Sequence, residues 1–274
     1  MSSSKKYWAA KNINEIGDEL SLRQEKYDQQ ISSYVGFLPL WRTSYNQFYT
    51  NIFRNGSMTV SGEQSEYTNI TNNHYANIVL HTKNLATAQK IVWDAKATNS
   101  DAASIKQTIV ANSVLDYYNR TLKLDANLRQ VLEYAILFGE GFIETSWNTF
   151  IGELYAVTED DDGNQVQVYS GDVESFTYTP NNVIRDLSNR TGKNNWIILR
   201  RRLNRYDLIA QYPKLAERIL SVDKSTSYET DLNTMYLDES SEDLVNYYTF
   251  YHKKTPALPQ GRITKFLSSD HILS

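Results

Sequence analysis

Between residues 77 and 147 the chain commits itself to a fold. Three successive segments carry apolar residues at helical spacing. In residues 85–95 the stripe is Leu85, Ala88 and Val92; in 103–118 it is Val110, Val114, Tyr117 and Tyr118. In 125–138 it is Leu128, Val131, Leu132, Ala135 and Phe138, with Leu124 just ahead. Residues three or four apart share one side of a helix, so each segment predicts an amphipathic helix that must bury one face. Asp101 precedes the second segment and Asp125 opens the third, where a short side-chain oxygen can accept the free N–H groups of a first turn. Gly139 stands where a helix commonly ends on a left-handed residue. After Gly139-Glu140-Gly141 the period changes to two, predicting a strand over 142–147. Helices that each offer one apolar face, followed by strands, predict an α+β layer: residues 77–140 packed on a mixed or antiparallel β region drawn from 142–202.

The flanking sequence extends this pattern. Residues 1–11 read as a mobile tail. Residues 13–53 read as helical, broken near Gly36 and Pro39, with Leu38-Pro39-Leu40-Trp41 anchoring a second helix. Residues 55–73 are rich in Gly, Ser, Thr and Asn and read as a loop. Further strands are predicted over 154–157, 166–169, 176–178, 196–202 and 245–252, with Asp160-Asp161-Asp162-Gly163-Asn164 as the turn between the second and third strands. Residues 206–220 predict a short helix interrupted at Pro213. The segment 223–243 is acidic and rich in Ser and Thr, with Lys224 its only basic residue, and reads as a mobile connector. Residues 245–267 predict a hairpin turning around Pro256 and Gly261. The expected organisation is therefore an N-terminal helical segment and loop (1–73), a core of helices then strands (74–222), a connector (223–244) and a hairpin leading into further sequence (245–274).

Composition narrows the function classes. The 274 residues are 41% hydrophobic, enough for a sizeable core. The absence of cysteine excludes disulfides and thiolate metal sites. A net charge of −4 lacks the basic excess usual in a tight sequence-specific DNA binder. The longest apolar run, residues 134–138, is too short to span a bilayer, and residues 1–6 lead into no apolar signal core. Twenty tyrosines, each a ring with a polar tip, suit subunit interfaces as well as cores.

Four features invite a chemical reading. In a calcium-loop frame with Gly163 at the sixth position, Asp160 and Asp162 fit, but Thr158 and Tyr169 fail the first and bidentate last positions; a solvated turn is the better account. Gly139-Glu140-Gly141 follows a helix rather than a strand, and Glu144 occupies the third glycine position, so it is no dinucleotide fingerprint. His74, His81, His252 and His271 make no metal-ligand pair at helical spacing. No nucleophile elbow or phosphate-binding loop is present, so no catalytic, cofactor-binding or metal residue is assigned and no enzyme is expected. The remaining feature is basic: Arg185, Arg190 and Lys193, followed by Arg200, Arg201, Arg202 and Arg205. On a strand Arg200 and Arg202 point one way and Arg201 the other. Arg200, Arg201, Arg202 and Arg205 are the candidates for intersubunit ion pairs or for DNA-backbone contacts, which need no sequence readout.

The order of these parts resembles the portal proteins of tailed bacteriophages. The resemblance covers roughly residues 70–220. It is carried by Asn77 and the helix predicted after it, the acidic helix start at Asp101, and Leu137-Phe138-Gly139-Glu140-Gly141 before the strand. It continues through Thr179-Pro180-Asn181-Asn182-Val183-Ile184-Arg185-Asp186 and through Arg201–Arg205 followed by Tyr206-Asp207-Leu208 and Tyr212-Pro213. The long portals of short-tailed phages, including the crAss-like group, are the most similar. The resemblance implies a portal wing-like fold and a structural subunit of a homo-oligomeric ring, about twelve copies closing head to tail. Such a ring sits at one capsid vertex of a virion assembled in the host bacterial cytoplasm. It contacts the major capsid protein, the terminase large subunit, and head–tail adaptor or tail proteins. Double-stranded DNA is packaged and ejected through it without sequence specificity, and no membrane or cofactor is involved. The chain departs from a complete portal in its length: paired stem helices, clip and crown are not identifiable, and it reads as the front part of something longer. Two other classes stay open, another head–tail adaptor and a metal-dependent nucleic-acid enzyme using Asp160, Asp162 or Asp172.

Overall fold

The computed structural model describes residues 7–33, 36–50, 73–89, 92–159, 165–187, 194–222, 232 and 243–273. The fold is α+β, with every described strand pair antiparallel. It divides into two compact units, one built from Met1–Asn69 and Pro180–Ser274, the other from Ile70–Thr179. The expected core of 74–222 is thus cut at Pro180. Strand pairing explains why: the strands on either side of the 223–244 connector, Trp196–Asn204 and Leu244–His252, hydrogen-bond to each other along their whole length. Most of that connector, like residues 55–72, Asp160–Asn164, Arg190 and Lys193, lies outside the described residues.

The discontinuous unit is a layered core. Helix α1 (Ile13–Ser32) and the shorter α2 (Leu38–Tyr45) precede it in sequence, and α2 runs into a π-helical turn at Asn46–Thr50. On α1, Ile16, Leu20, Tyr27 and Ile31 are spaced to form one stripe, and all four are buried. Its sheet has the order β5 (Val183–Ile184), β6 (Trp196–Asn204), β7 (Leu244–His252), β8 (Arg262–Phe266). Strand β7 is buried on both faces because it has a neighbour on each. Tyr248 accepts a hydrogen bond from Gln24 of α1, and Phe250 and His252 pack on Trp8. Val245 and Tyr247 join Leu208, Ile219 and Leu267 in a cluster with α6 (Arg205–Gln211) and α7 (Ala216–Leu220). Pro213 interrupts that helical stretch as expected, opening a 3-10 turn, Pro213–Leu215. Part of the expected mobile tail is fixed: Ala9 is buried, and Arg262 donates to the carbonyls of Ala9 and Lys11. Gly17 answers a close approach, since a Cβ there would lie 1.9 Å from the Ser269 carbonyl oxygen.

The continuous unit holds α3 (His74–Ala86), α4 (Ala102–Thr121), α5 (Leu124–Phe138) and strands β1 (Phe142–Asn148), β2 (Leu154–Glu159), β3 (Gln165–Tyr169) and β4 (Asp172–Tyr178). β1 pairs with β4, and the β2–β3 hairpin is inserted between them as a separate two-stranded sheet. Asp101 caps α4, accepting from the Ser104 amide, and Gly139 ends α5 at φ 88°. Two expectations fail at helix ends. Asp125 lies inside the first turn of α5, and the cap position is Lys123, held left-handed at φ 50° by the tight α4–α5 turn. The helix expected over 85–95 is displaced: Asn73 caps α3 by accepting from the Ala76 amide, the helix ends at Ala86, and residues 92–100 are non-helical. Thr87 helps close that end by donating to the Lys83 carbonyl.

Candidate functional site

The arginine strand is the first candidate. Arg200 lies on the α1 side of β6, where its guanidinium meets both oxygens of Asp28 at 3.1 and 3.2 Å, the Asn182 side-chain oxygen and the Asn181 carbonyl. It is 1% exposed. Nearby, Tyr27 donates to the Pro180 carbonyl at 2.7 Å, so α1 grips the 180–182 turn twice. Arg205, the first residue of α6, is 7% exposed and reaches the Val222 carbonyl. Arg201 turns to the other face, its guanidinium carbon 5.6 Å from the Tyr247 ring centre, and Arg202 is half-buried. The expected alternation is therefore real, but two of the four arginines are enclosed by their own chain. Arg200 and Arg205 are buried within their own unit, whereas Arg201 and Arg202 are half-buried. A buried guanidinium needs its charge met and its donors occupied, and Asp28 with two asparagines does this for Arg200.

A second cation is held at the surface of the same unit. Arg23 stacks on Trp8, 3.4 Å from the ring centre, and pairs with Glu19 at 2.6 Å. Lys11 also reaches Glu19, and these two hydrogen bonds hold the Glu19 carboxyl below its usual range.

Two of the four histidines are held within the structure by hydrogen bonds, while His74 and His81 are exposed. His252 bonds Tyr7 Oη through Nε2 and the Lys253 carbonyl through Nδ1; His271 bonds Ser221 and Ser268. Asp172 accepts from the Val173 amide and from Tyr118 Oη at 3.1 Å, the latter bond raising the Tyr118 phenol above its usual range. Asp160 and Asp162 lie outside the described residues. Among the described residues no group of three or more His, Asp and Glu is placed to hold a metal, and no helix is long and apolar enough to cross a membrane.

The continuous unit supplies the second candidate, an apolar surface that is exposed among the described residues. Helix α4 has no buried residue. Its inward side is largely polar. Asn112 accepts from the Ala95 amide at 2.7 Å and donates to Asp94 and to the Ala95 carbonyl, while Tyr118 bonds Asp172. Of the stripe expected to face the core, Val110, Val114 and Tyr117 are exposed, joined by Ile105 and Ile109, while Tyr118 is half-buried and turns inward. Beside α5, Leu128, Val131, Leu132 and Ala135 line an open cleft of about 400 Å³ with residues 86–89 at the end of α3. On the β2–β3 hairpin Leu154, Tyr155, Val157 and Val168 are exposed, Tyr155 at 82%. Large apolar side chains exposed together on one face, as on α4, mark an interaction site rather than chemistry. The α4 stripe was visible in the sequence as amphipathicity, but not its outward direction; Ile105, Ile109 and the hairpin residues were missed because short apolar runs read equally well as core.

No protein-family model matches the chain, and no curated protein matches it.

Proposed function

We propose that the chain is a portal-type structural subunit, part of a ring through which double-stranded DNA passes into and out of a phage capsid. The observation that carries this reading is the exposed apolar face of α4, capped at Asp101 and followed by α5, the Gly139 turn and β1. That order is the one on which the resemblance rests, and its outward apolar stripe is what an assembling subunit needs. A head-to-tail contact repeated about an axis closes into a ring. The near-balanced charge suits a channel in which DNA slides rather than sticks. Terminase, capsid protein and tail adaptors would be the partners of the finished ring, and it would have no ATPase or nuclease activity of its own.

The test is assembly of the protein expressed from its full reading frame, by light scattering after size exclusion and by negative-stain imaging. Closed rings of about twelve subunits are expected. A monomer that persists at high protein concentration overturns the proposal. Duplex DNA titrated against the assembled ring at two salt concentrations should show weak binding with a shallow salt slope; a steep slope would mean held phosphates and would sink the sliding channel.

A further inference from the structure

Among the described residues the continuous unit carries two exposed apolar surfaces, and they differ in charge. From Phe142 to Thr179, the strand half holds eight acidic residues and no lysine or arginine. From Ile70 to Gly141, the helical half holds seven lysines and arginines against six acidic residues. Lys106, Arg120 and Asp116 fall within the outward arc of α4, among Ile109, Val110 and Tyr117, and all three are exposed, leaving that arc one positive charge in excess. On the hairpin, Glu153 and Glu159 flank the exposed Leu154, Tyr155 and Val157. An isolated two-stranded hairpin is marginal in water, and β2 and β3 hydrogen-bond only to each other among the described strands.

We infer that the β2–β3 hairpin of one copy docks on the outward face of α4 in the next copy, a head-to-tail contact. This rests on the ring reading above and names its surfaces. Charge selects this pairing over the alternatives. Hairpin against hairpin would bring two wholly acidic surfaces together, which costs free energy. Hairpin against α4 sets Glu153 and Glu159 against Lys106 and Arg120 while Tyr155 and Val157 meet Ile109, Val110 and Val114. Each copy then offers one donor and one acceptor surface, and the contact is heterologous.

Complementation between two variants tests it. Tyr155→Ser with Val157→Ser disables the hairpin; Val110→Asp with Val114→Asp disables α4, and no new opposite charges let the two disabled surfaces pair in the mixture. All four positions are exposed, so circular dichroism and thermal melting should match the parent. Each variant alone should lose assembly and run as a monomer. Mixed in equal amounts, the two should form a dimer and nothing larger, because the intact α4 of the first meets the intact hairpin of the second. Variants that still assemble like the parent would overturn the docking surfaces while leaving the ring intact. A mixture that stays monomeric would mean both surfaces belong to one isologous contact and would also overturn the inference. A monomeric parent would remove the ring and this contact together.

Discussion

Phe250 and Val110 are both apolar residues on regular elements, yet one is fully buried and the other 63% exposed. The contrast extends to the units that hold them. Among the described residues, the discontinuous unit buries twenty hydrophobic side chains, and the continuous unit four: Val79, Leu137, Phe138 and Tyr178. The first unit closes its core because its sheet has helices on both faces, from the N-terminus on one side and from residues 205–220 on the other. In the second, β1–β4 makes a two-stranded ribbon, and α5 is bonded to it largely through polar side chains: Thr177 to Gln130 and Asn127 to Ser175. Lys83 and Glu133 tie α3 to α5 by an ion pair. The lesson is that one chain can hold a self-sufficient module beside one whose apolar surface is laid out for something else.

Stability measurements can break that comparison. The largest effect is expected from Phe250→Ala, which should lower unfolding free energy by about 3–5 kcal/mol in urea titration. The matched change Val110→Ser on α4 should stay within about 0.5 kcal/mol for the unassembled chain. Equal costs would mean that α4 is covered and that the two units do not differ as described. Asp28→Ala should come next, at about 3 kcal/mol, because it leaves the enclosed Arg200 guanidinium without its counter-charge; Arg200→Met, removing the charge as well, should cost less. If Asp28→Ala proves silent, Arg200 is not held by α1. Leu132, which the sequence places on a core stripe, lines the open cleft instead, so Leu132→Ala should be milder than Phe138→Ala.

Smaller effects sharpen the picture. Gly139→Ala should cost about 1 kcal/mol, since its left-handed φ is one an alanine adopts only with strain. An unchanged melting temperature would show that the α5 end relaxes freely. The least is expected from Glu19. Its carboxyl is held below its usual range by Lys11 and Arg23, so its contribution is present above the unfolded carboxylate pKa and is lost as pH falls through the lower folded value. Glu19→Gln should lower stability slightly at neutral pH and leave it nearly unchanged at acid pH, where the contribution is already lost, so the acid limb of a stability–pH curve flattens; the opposite sign would mean the pairs with Lys11 and Arg23 do not form in solution.

Local chemistry was legible at several positions where a residue's role is settled by its near neighbours in sequence. Asp101 caps α4, Gly139 ends α5, Pro213 breaks the helix after Arg205, and the strand at 142 begins where the period changes, because each depends on backbone groups only a few residues away. The α4 stripe was equally visible as a pattern. Which way it points is not a local property: it depends on whether Asn112 and Tyr118 find Asp94, Ala95 and Asp172, and so turn the polar side inward. The arginines show the same limit. Alternation along β6 follows from strand geometry, whereas the enclosure of Arg200 depends on Asp28, 172 positions earlier in the chain. Burial is set by contacts between distant segments, and a periodic pattern records that a face exists without recording what will cover it.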